Sequence, residues 1–490
     1  MQVSLQKIPR IYWAAAVIAV VVLFYVYSAL SSRSPHSQRF DIPFSRFVGA
    51  EQLRTARSKE LIAEIEKLIA QNGLPADVFE GLSTTSLDSN DRAWLQEQHQ
   101  NNIAIVLHEH FRPYYESASP DTPHIPLRDD LQKLWDASPI GAWDIDELKI
   151  ANVRPILNRF DEKRYDIRRK LENPKTVFYY IFERGTVRSN PTGRRAASPA
   201  SVYRGTIVST TPSKYLADYA LLEEYAVALA LLDGNIEEAI KALDYIFRIA
   251  YLASNLADVG ARGDAVLVRL RAYDVLQRII LDSKLERRHL LDIRHMLTEL
   301  YQHWVPENIA WFGDRAHGLM FYRRIIMYGP VDTLTQEGID ELERRGIRSS
   351  FSRHFRTNHE ADTVFYLQSM QKILDISQEP LANRMDVLDT IYTNLLQKQD
   401  SYDSKGVLLE PVVAGILLKD VYPLMRLFAQ DQSALNRSLV AVLHSLGQRN
   451  TGGYRNPFTN EPYEIHQDNG MLAVNVDELP RPFRVPVFAD

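Results

Sequence analysis

Asp218 to Ala253 reads DYALLEEYAVALALLDGNIEEAIKALDYIFRIAYLA, two alanine- and leucine-rich runs parted by Asp233-Gly234. Ala, Leu and Glu favour helix and Asp-Gly favours a turn, so the stretch predicts two helices, Ser213 to Leu232 and Asn235 to about Leu256. Asn235 has the side chain of a good N-cap, and Glu237 and Glu238 put negative charge in the first turn, where the helix dipole welcomes it. The fold class follows: mainly α, an irregular stack of helical hairpins.

Moving toward the C-terminus, helical patterns recur at Asp264 to Leu281, Leu285 to Trp304, Pro306 to Tyr328, Glu360 to Ile376 and Leu381 to Lys398. The last helices lie within Val421 to Gly447. Ser283 with Glu286, and Thr357 with Glu360, have capping-box spacing. Toward the N-terminus, a helix is expected over Glu51 to Asn72, ended by Gly73, and another from Ser89 to Pro113. Prolines 120, 123, 126, 139, 155 and 174 predict short helices separated by turns up to residue 175. Thr176 to Phe182 and Val202 to Ser209 are rich in β-branched and aromatic residues and flank a Gly- and Pro-containing loop, the pattern of a β-hairpin insertion. Beyond Gly452 the composition turns to Pro, Asn and aromatics, and Met471 to Val476 reads as a strand in a small C-terminal β unit.

Ile11 to Leu30, IYWAAAVIAVVVLFYVYSAL, contains no charge. Twenty residues at about 1.5 Å each span about 30 Å, the thickness of a bilayer's hydrocarbon core. The run is longer than a typical signal-peptide core, which favours a single N-terminal transmembrane helix that stays attached. Lys7 and Arg10 before the span outweigh Arg33 and Arg39 after it by a narrow margin. The expected topology therefore has the N-terminus cytoplasmic and the body periplasmic, at the inner membrane. The expected organisation is 1–10 cytoplasmic segment, 11–30 anchor, 31–50 tether and 51–175 first helical region. Residues 176–212 form the hairpin with a basic loop, 213–450 the helical body and 451–490 the tail.

The chain has 57 basic and 62 acidic residues, a net charge of −5, which argues against nucleic acid as a partner. It has no cysteine, which excludes disulfides, thiolate metal sites and cysteine nucleophiles. No G-x-S-x-G elbow, phosphate-binding loop or dinucleotide glycine pattern is present. No catalytic residue and no cofactor are therefore assigned.

Three weaker constellations remain. His295, Glu299 and His303 stand at i, i+4 and i+8 on one expected helix, with Asp292 a turn earlier, and such a face can hold zinc for hydrolysis. A polar stripe on an amphipathic helix has the same spacing. His108-Glu109-His110 is weaker, since residues two apart on a helix diverge, and Asp314 with His317 lacks a third group. Arg184, Arg188, Arg194, Arg195, Arg204 and Lys214 form a run of six cations without an acid, suited to anionic lipid headgroups or an acidic protein. Arg344, Arg345, Arg348, Arg353 and Arg356 make a second basic patch. The paired carboxylates Glu223-Glu224 and Glu237-Glu238 read as exposed helix faces.

Leu231 to Phe247 resembles the inter-helix turn of a tetratricopeptide repeat, but no second copy follows about 34 residues later. Over Tyr219 to Asp477, the helical runs together with GGYRNPFTNEPYEIHQDNGMLAV resemble an uncharacterised group of single-pass bacterial envelope proteins. In that group an all-helical body closes with an Asp-Pro-Phe-x-Gly-x-Pro tail; here Asn456 replaces Asp and Asn460 replaces Gly. The tail is also similar to the Asp-Pro-rich end of some pseudopilins, whereas the helical body is not. Phe458 and Tyr463, bracketed by turns, are expected to plug the edge of the stack. The resemblance implies an envelope address and transfers no catalytic residue. The functional expectation is a membrane-anchored protein acting on a protein partner, as a scaffold or accessory subunit of an inner-membrane assembly.

Overall fold

The computed structural model describes residues 100–115, 133, 147–178, 182–184, 206–208, 211–255, 259–311, 313–315, 318, 322, 359–398, 401, 404, 410–448 and 451–488. The expected anchor, tether and first helix lie outside these residues. Among the described residues no helix is long and apolar enough to cross a membrane.

Described helices are α1 Ile103–Tyr115, α2 Glu147–Arg159, α3 Asp161–Leu171, α4 Thr211–Leu232, α5 Ile236–Ser254, α6 Val259–Ile280 and α7 Arg287–Gln302. They continue with α8 His359–Ile376, α9 Leu381–Lys398, α10 Val412–Leu418 and α11 Val421–Ser445. Strands β1 Phe182–Arg184 and β2 Thr206–Val208 form one antiparallel pair, and β3 Ile465–Asp468, β4 Met471–Val474 and β5 Phe483–Pro486 a second antiparallel sheet in the order β3-β4-β5. The chain is mainly helical with a small C-terminal β unit, as its pattern predicts.

Helix α4 is the axis of the body. Every residue from Asp218 to Ala230 is buried, and α4 packs against α1, α2, α3, α5 and α6. Apolar residues lie on every face of this stretch, interrupted only by a few polar side chains such as Asp218, Glu223 and Glu224, so it has to be covered on all sides, and several neighbours converge on it. The α4–α5 turn forms as expected. Gly234 takes φ +70, and the Asn235 side chain accepts the Glu238 N–H at 3.1 Å.

Several boundaries differ from the sequence reading. α1 runs past Pro113 to Tyr115, and α2 runs through Pro155, whose ring side is exposed. α7 is capped by Glu286 rather than Ser283: Glu286 accepts from the third helical N–H, and the His289 Nδ1 accepts the Glu286 N–H at 3.0 Å. A ring nitrogen thus replaces the usual carboxylate in the reciprocal cap. Of the expected strand Thr176 to Phe182, the described residue in strand conformation is Phe182, the first of β1, and residues 179–181 lie outside the described residues. Val177 instead forms a parallel bridge with Asn102, donating to the Asn101 carbonyl at 3.1 Å and accepting from Ile103 at 2.9 Å, and so closes the start of α1.

The tail folds as a fastening. The Asn456 side chain accepts the Phe458 N–H at 3.0 Å, so the amide keeps the turn-forming acceptor a carboxylate would supply. Asn460 adopts φ 62, a left-handed conformation that Asn tolerates where Gly is common. Phe458 is 6% exposed, and the Pro457 carbonyl accepts the Leu381 N–H at 2.8 Å at the start of α9. The β3–β4 loop is Asn469-Gly470, both with positive φ, the two-residue turn that matches strand twist. The Gln277 side chain of α6 pairs with both the N–H and the carbonyl of Arg484 at 2.6 Å, ending the β5 edge as a neighbouring strand would.

Truncation Phe458→Ala leaves a cavity between tail and helices and is expected to cost about 3–5 kcal/mol in urea unfolding. A change within a few tenths of a kcal/mol would show that the tail does not brace the body.

Candidate functional site

The sequence candidates separate in space. His295 and Glu299 stand 3.5 Å apart on α7 with side chains 71% and 53% exposed, and His303 is the exposed C-cap residue. Eight residues of helix place His303 about 12 Å along the axis from His295, beyond the reach of a single ion. On the opposite face Leu290, Ile293, Met296 and Leu297 are buried, so α7 is an amphipathic helix with a polar stripe. Among the described residues no three His, Asp or Glu side chains come together as a metal would require.

His108 and His110 diverge. The His108 ring meets Tyr215 edge-on at 5.7 Å, while His110 Nε2 lies 3.6 Å from Asp166. Burial, reinforced by Lys163, lowers the His110 pKa, against the pull of Asp166. The Asp314 backbone carbonyl accepts the Tyr366 hydroxyl at 3.0 Å, and His317 lies outside the described residues. Of the basic run, Arg184 ends β1 opposite Thr206 of β2, and Lys214 lies in the first turn of α4. Arg188, Arg194, Arg195 and Arg204 lie outside the described residues, as does the patch from Arg344 to Arg356.

Glu223 and Glu224 do not form an exposed face; they are 0% and 5% exposed. Glu223 is gripped by Arg168 through two nitrogens, at 2.9 and 2.6 Å, and by Arg164 at 3.0 Å. Burial pushes its carboxyl pKa up, but the two guanidinium groups outweigh burial and hold it below the usual range. Glu224 has one guanidinium, Arg271 at 2.6 Å, and its other oxygen has no hydrogen-bond partner. There burial wins and the pKa rises. Glu237 is exposed, as expected, and Glu238 is half-buried beside Arg168 at 2.8 Å.

The structure assembles a polar core that the sequence reading does not contain. Arg269 of α6 meets Asp431 of α11, 162 positions away, with Nε 3.0 Å from both carboxylate oxygens and Nη2 2.5 Å from Oδ2. Arg269 Nη1 also donates to Ser254 Oγ and to the Ala250 carbonyl at 3.3 Å. Its guanidinium lies 5.3 Å from the Trp304 ring centre. About two helical turns earlier on α6's buried face, Arg262 donates to the carbonyls of Val305 at 2.7 Å and Pro306 at 2.9 Å and sits 5.2 Å from the Phe428 ring centre. Nearby, Glu307 accepts from Arg384 and from the Trp311 indole, both at 2.7 Å.

A small pocket opens beside this core, lined by Tyr251, Ser254, Arg262, Arg269, Tyr273, Leu300, Trp304 and Val305. It measures about 280 Å³ including its open mouth, and its enclosed part has room for about one water molecule. Its size does not suit an organic cofactor.

Known protein families, curated proteins and solved structures contain no match to this chain.

Breaking the buried pair on one side, by Arg269→Met or Asp431→Ala, is expected to cost about 3–5 kcal/mol in chemical denaturation, whereas the joint Arg269→Met/Asp431→Leu change costs far less. Additive single costs would refute the coupling. The depressed Glu223 pKa contributes stability above its unfolded value of about 4.5, and that stability is lost as pH falls through the lower folded value. Glu223→Gln should flatten this acid limb of a stability–pH curve; an unchanged limb would contradict the assignment.

Proposed function

We propose that this chain is a membrane-anchored, largely α-helical envelope protein that acts by protein interaction, as a scaffold or accessory subunit of an inner-membrane assembly. The observation that carries this reading is the uncharged run Ile11 to Leu30 ahead of a large helical body. Two features support it. The carboxylates that could pass for acid–base pairs, Glu223 and Glu224, are committed to arginines from neighbouring helices. The resemblance over Tyr219 to Asp477 points to the same address, and Lys7 and Arg10 favour a cytoplasmic N-terminus with the body outside. The six cations from Arg184 to Lys214 add an electrostatic contact to anionic headgroups or to an acidic face of the partner.

The proposal is tested in membranes at native expression level. The full chain should resist alkaline carbonate extraction, its body should be digested by protease added to spheroplasts, and cross-linking should recover one membrane-associated protein in constant proportion. Deleting residues 1–30 should release the body into the soluble fraction in high salt. Carbonate release of the full chain, or cross-linking only to lipid and chaperones, would overturn it.

A further inference from the structure

The C-terminal sheet has one closed edge and one open edge. β5 ends it on one side, where the Gln277 side chain holds both the N–H and the carbonyl of Arg484 at 2.6 Å. The next outward carbonyl of β5, Pro486, accepts the Ser445 hydroxyl at 2.5 Å, and proline has no N–H to satisfy. β3 ends the sheet on the other side. Asp468 and Met471 flank the two-residue turn and face each other, so by antiparallel alternation Asp468 and His466 turn their backbone groups to β4 while Gln467 and Ile465 turn theirs outward. Among the described residues nothing pairs with Ile465 or Gln467 along this edge. The chain covers the line of β3 only as far as its start, where Arg455 bridges Pro462 and the Asn456 N–H donates to the Glu461 carbonyl at 2.9 Å. Before that bridge it bends away in a turn closed by the Tyr454 N–H on the Thr451 carbonyl at 3.0 Å, and the exposed Gly452 and Gly453 have open space around them.

Charge narrows what can pair there. From Asn456 to Pro480 the sequence holds Glu461, Glu464, Asp468, Asp477 and Glu478 and neither Lys nor Arg. The Glu464 side chain, 87% exposed, stands at the start of the open edge 3.8 Å from His466 Nε2, and Glu461 is exposed just before it. Arg455, on the bridging segment, donates to the Asn460 carbonyl at 2.9 Å. Side chains alternate along the strand: half-buried Ile465 shares the core-facing side with Val474 and Phe483, and Glu464 and His466 take the solvent side. A second copy of β3 is a poor occupant. Antiparallel pairing of Ile465 with Gln467 across a two-fold axis sets position 464 of one copy opposite position 468 of the other, both acids, and like charges directly opposite destabilise a sheet. A strand carrying cations removes that conflict.

We propose that the open edge of β3 docks an extended segment of a partner protein, alternating basic and apolar residues, as a fourth strand of the sheet. Its backbone pairs with the outward groups of Ile465 and Gln467, which supplies affinity, and its alternate side chains supply specificity. The apolar ones continue the core-facing side beside Ile465, and the basic ones meet Glu464 on the solvent side. This inference rests on the proposed interaction role and names the surface that role uses.

The probe is a capped, fluorescent heptapeptide of alternating lysine and valine, titrated with the full chain in detergent and followed by anisotropy. Binding should saturate, and should weaken about tenfold or more when glutamate replaces lysine and about two- to fivefold in Glu464→Gln. Gln467→Pro removes an outward N–H and no bond to β4, so the chain should keep its melting temperature and bind about tenfold more weakly. If Gln467→Pro does not fold, the same peptide N-methylated at its valines decides, since it lacks the opposing donors and should not bind. Absence of saturable binding, equal binding of the glutamate peptide, or undiminished binding by Gln467→Pro or of the N-methylated peptide would overturn the proposal. So would dimerisation of the chain alone that Gln467→Pro abolishes, which assigns the edge to a second copy. In membranes, partner cross-linking that survives Gln467→Pro overturns this site and leaves the scaffold reading standing. Loss of all partner cross-linking in the unaltered chain, with peptide binding intact, overturns the scaffold reading alone.

Discussion

Burial of helix α4 on every side is the constraint around which the rest of the molecule is arranged. From Asp218 to Ala230 every residue is buried, yet the stretch carries carboxylates at 218, 223 and 224. Some neighbours must therefore bring cations as well as apolar surface, because an unpaired buried charge is far more costly than a missing hydrophobic contact. α3 answers with Arg164 and Arg168, one turn apart and both on Glu223; α6 answers with Arg271 on Glu224. Charge thus sets the height at which these helices meet α4. Apolar packing alone is non-directional and would leave that height loose.

The same rule recurs away from α4. Arg269 with Asp431 joins α6 to α11, and Arg384 with Glu307 joins α9 to the segment after α7. Asp362 of α8 accepts the Val413 and Ala414 N–H groups at 3.1 and 2.9 Å and the Tyr322 hydroxyl at 2.5 Å, anchoring the start of α10. Arg437 of α11 donates to the Arg481 carbonyl at 2.5 Å, holding the tail. Such bonds contribute less to net stability than their number suggests, because desolvation offsets much of the attraction. Their directionality makes one arrangement of an irregular stack preferable to others, where no repeat period dictates the packing.

Much of the secondary structure was legible because it rests on local chemistry. The α4–α5 turn with its Asn235 cap, α8, α9 and the strand at Met471 all involve residues a few positions apart, whose propensities and hydrogen bonds are written side by side. The exceptions are also local in cause. Pro113 and Pro155 read as helix ends, but each stands within a helix that continues for two to four residues, and Pro155 is on the exposed side. Ser283 looked like a cap because hydroxyls usually fill that role, whereas a His289 ring nitrogen completed the cap one turn on. The Asn469-Gly470 dipeptide was a readable hairpin signal that the strand pattern around Met471 did not use.

The candidate site was hardly legible, and the reason is distance along the chain. Spacing rules place His295, Glu299 and His303 on one helical face, but a face is not a site until other elements converge on it, and this one looks out to solvent. Glu223-Glu224 reads as an exposed pair because carboxylates usually are exposed; only the packing of α3 and α6 makes them interior. By itself, the sequence determined a mainly helical chain, its principal turns, its cysteine-free chemistry and an uncharged run long enough to span a bilayer, since all of these depend on neighbouring residues or composition. Tertiary structure alone decided which charges are buried and with whom: Arg269 and Asp431 are 162 positions apart, and Arg262 is left without a carboxylate by the same packing. No local pattern encodes that, because the energy of a buried charge depends on what the whole fold brings to it.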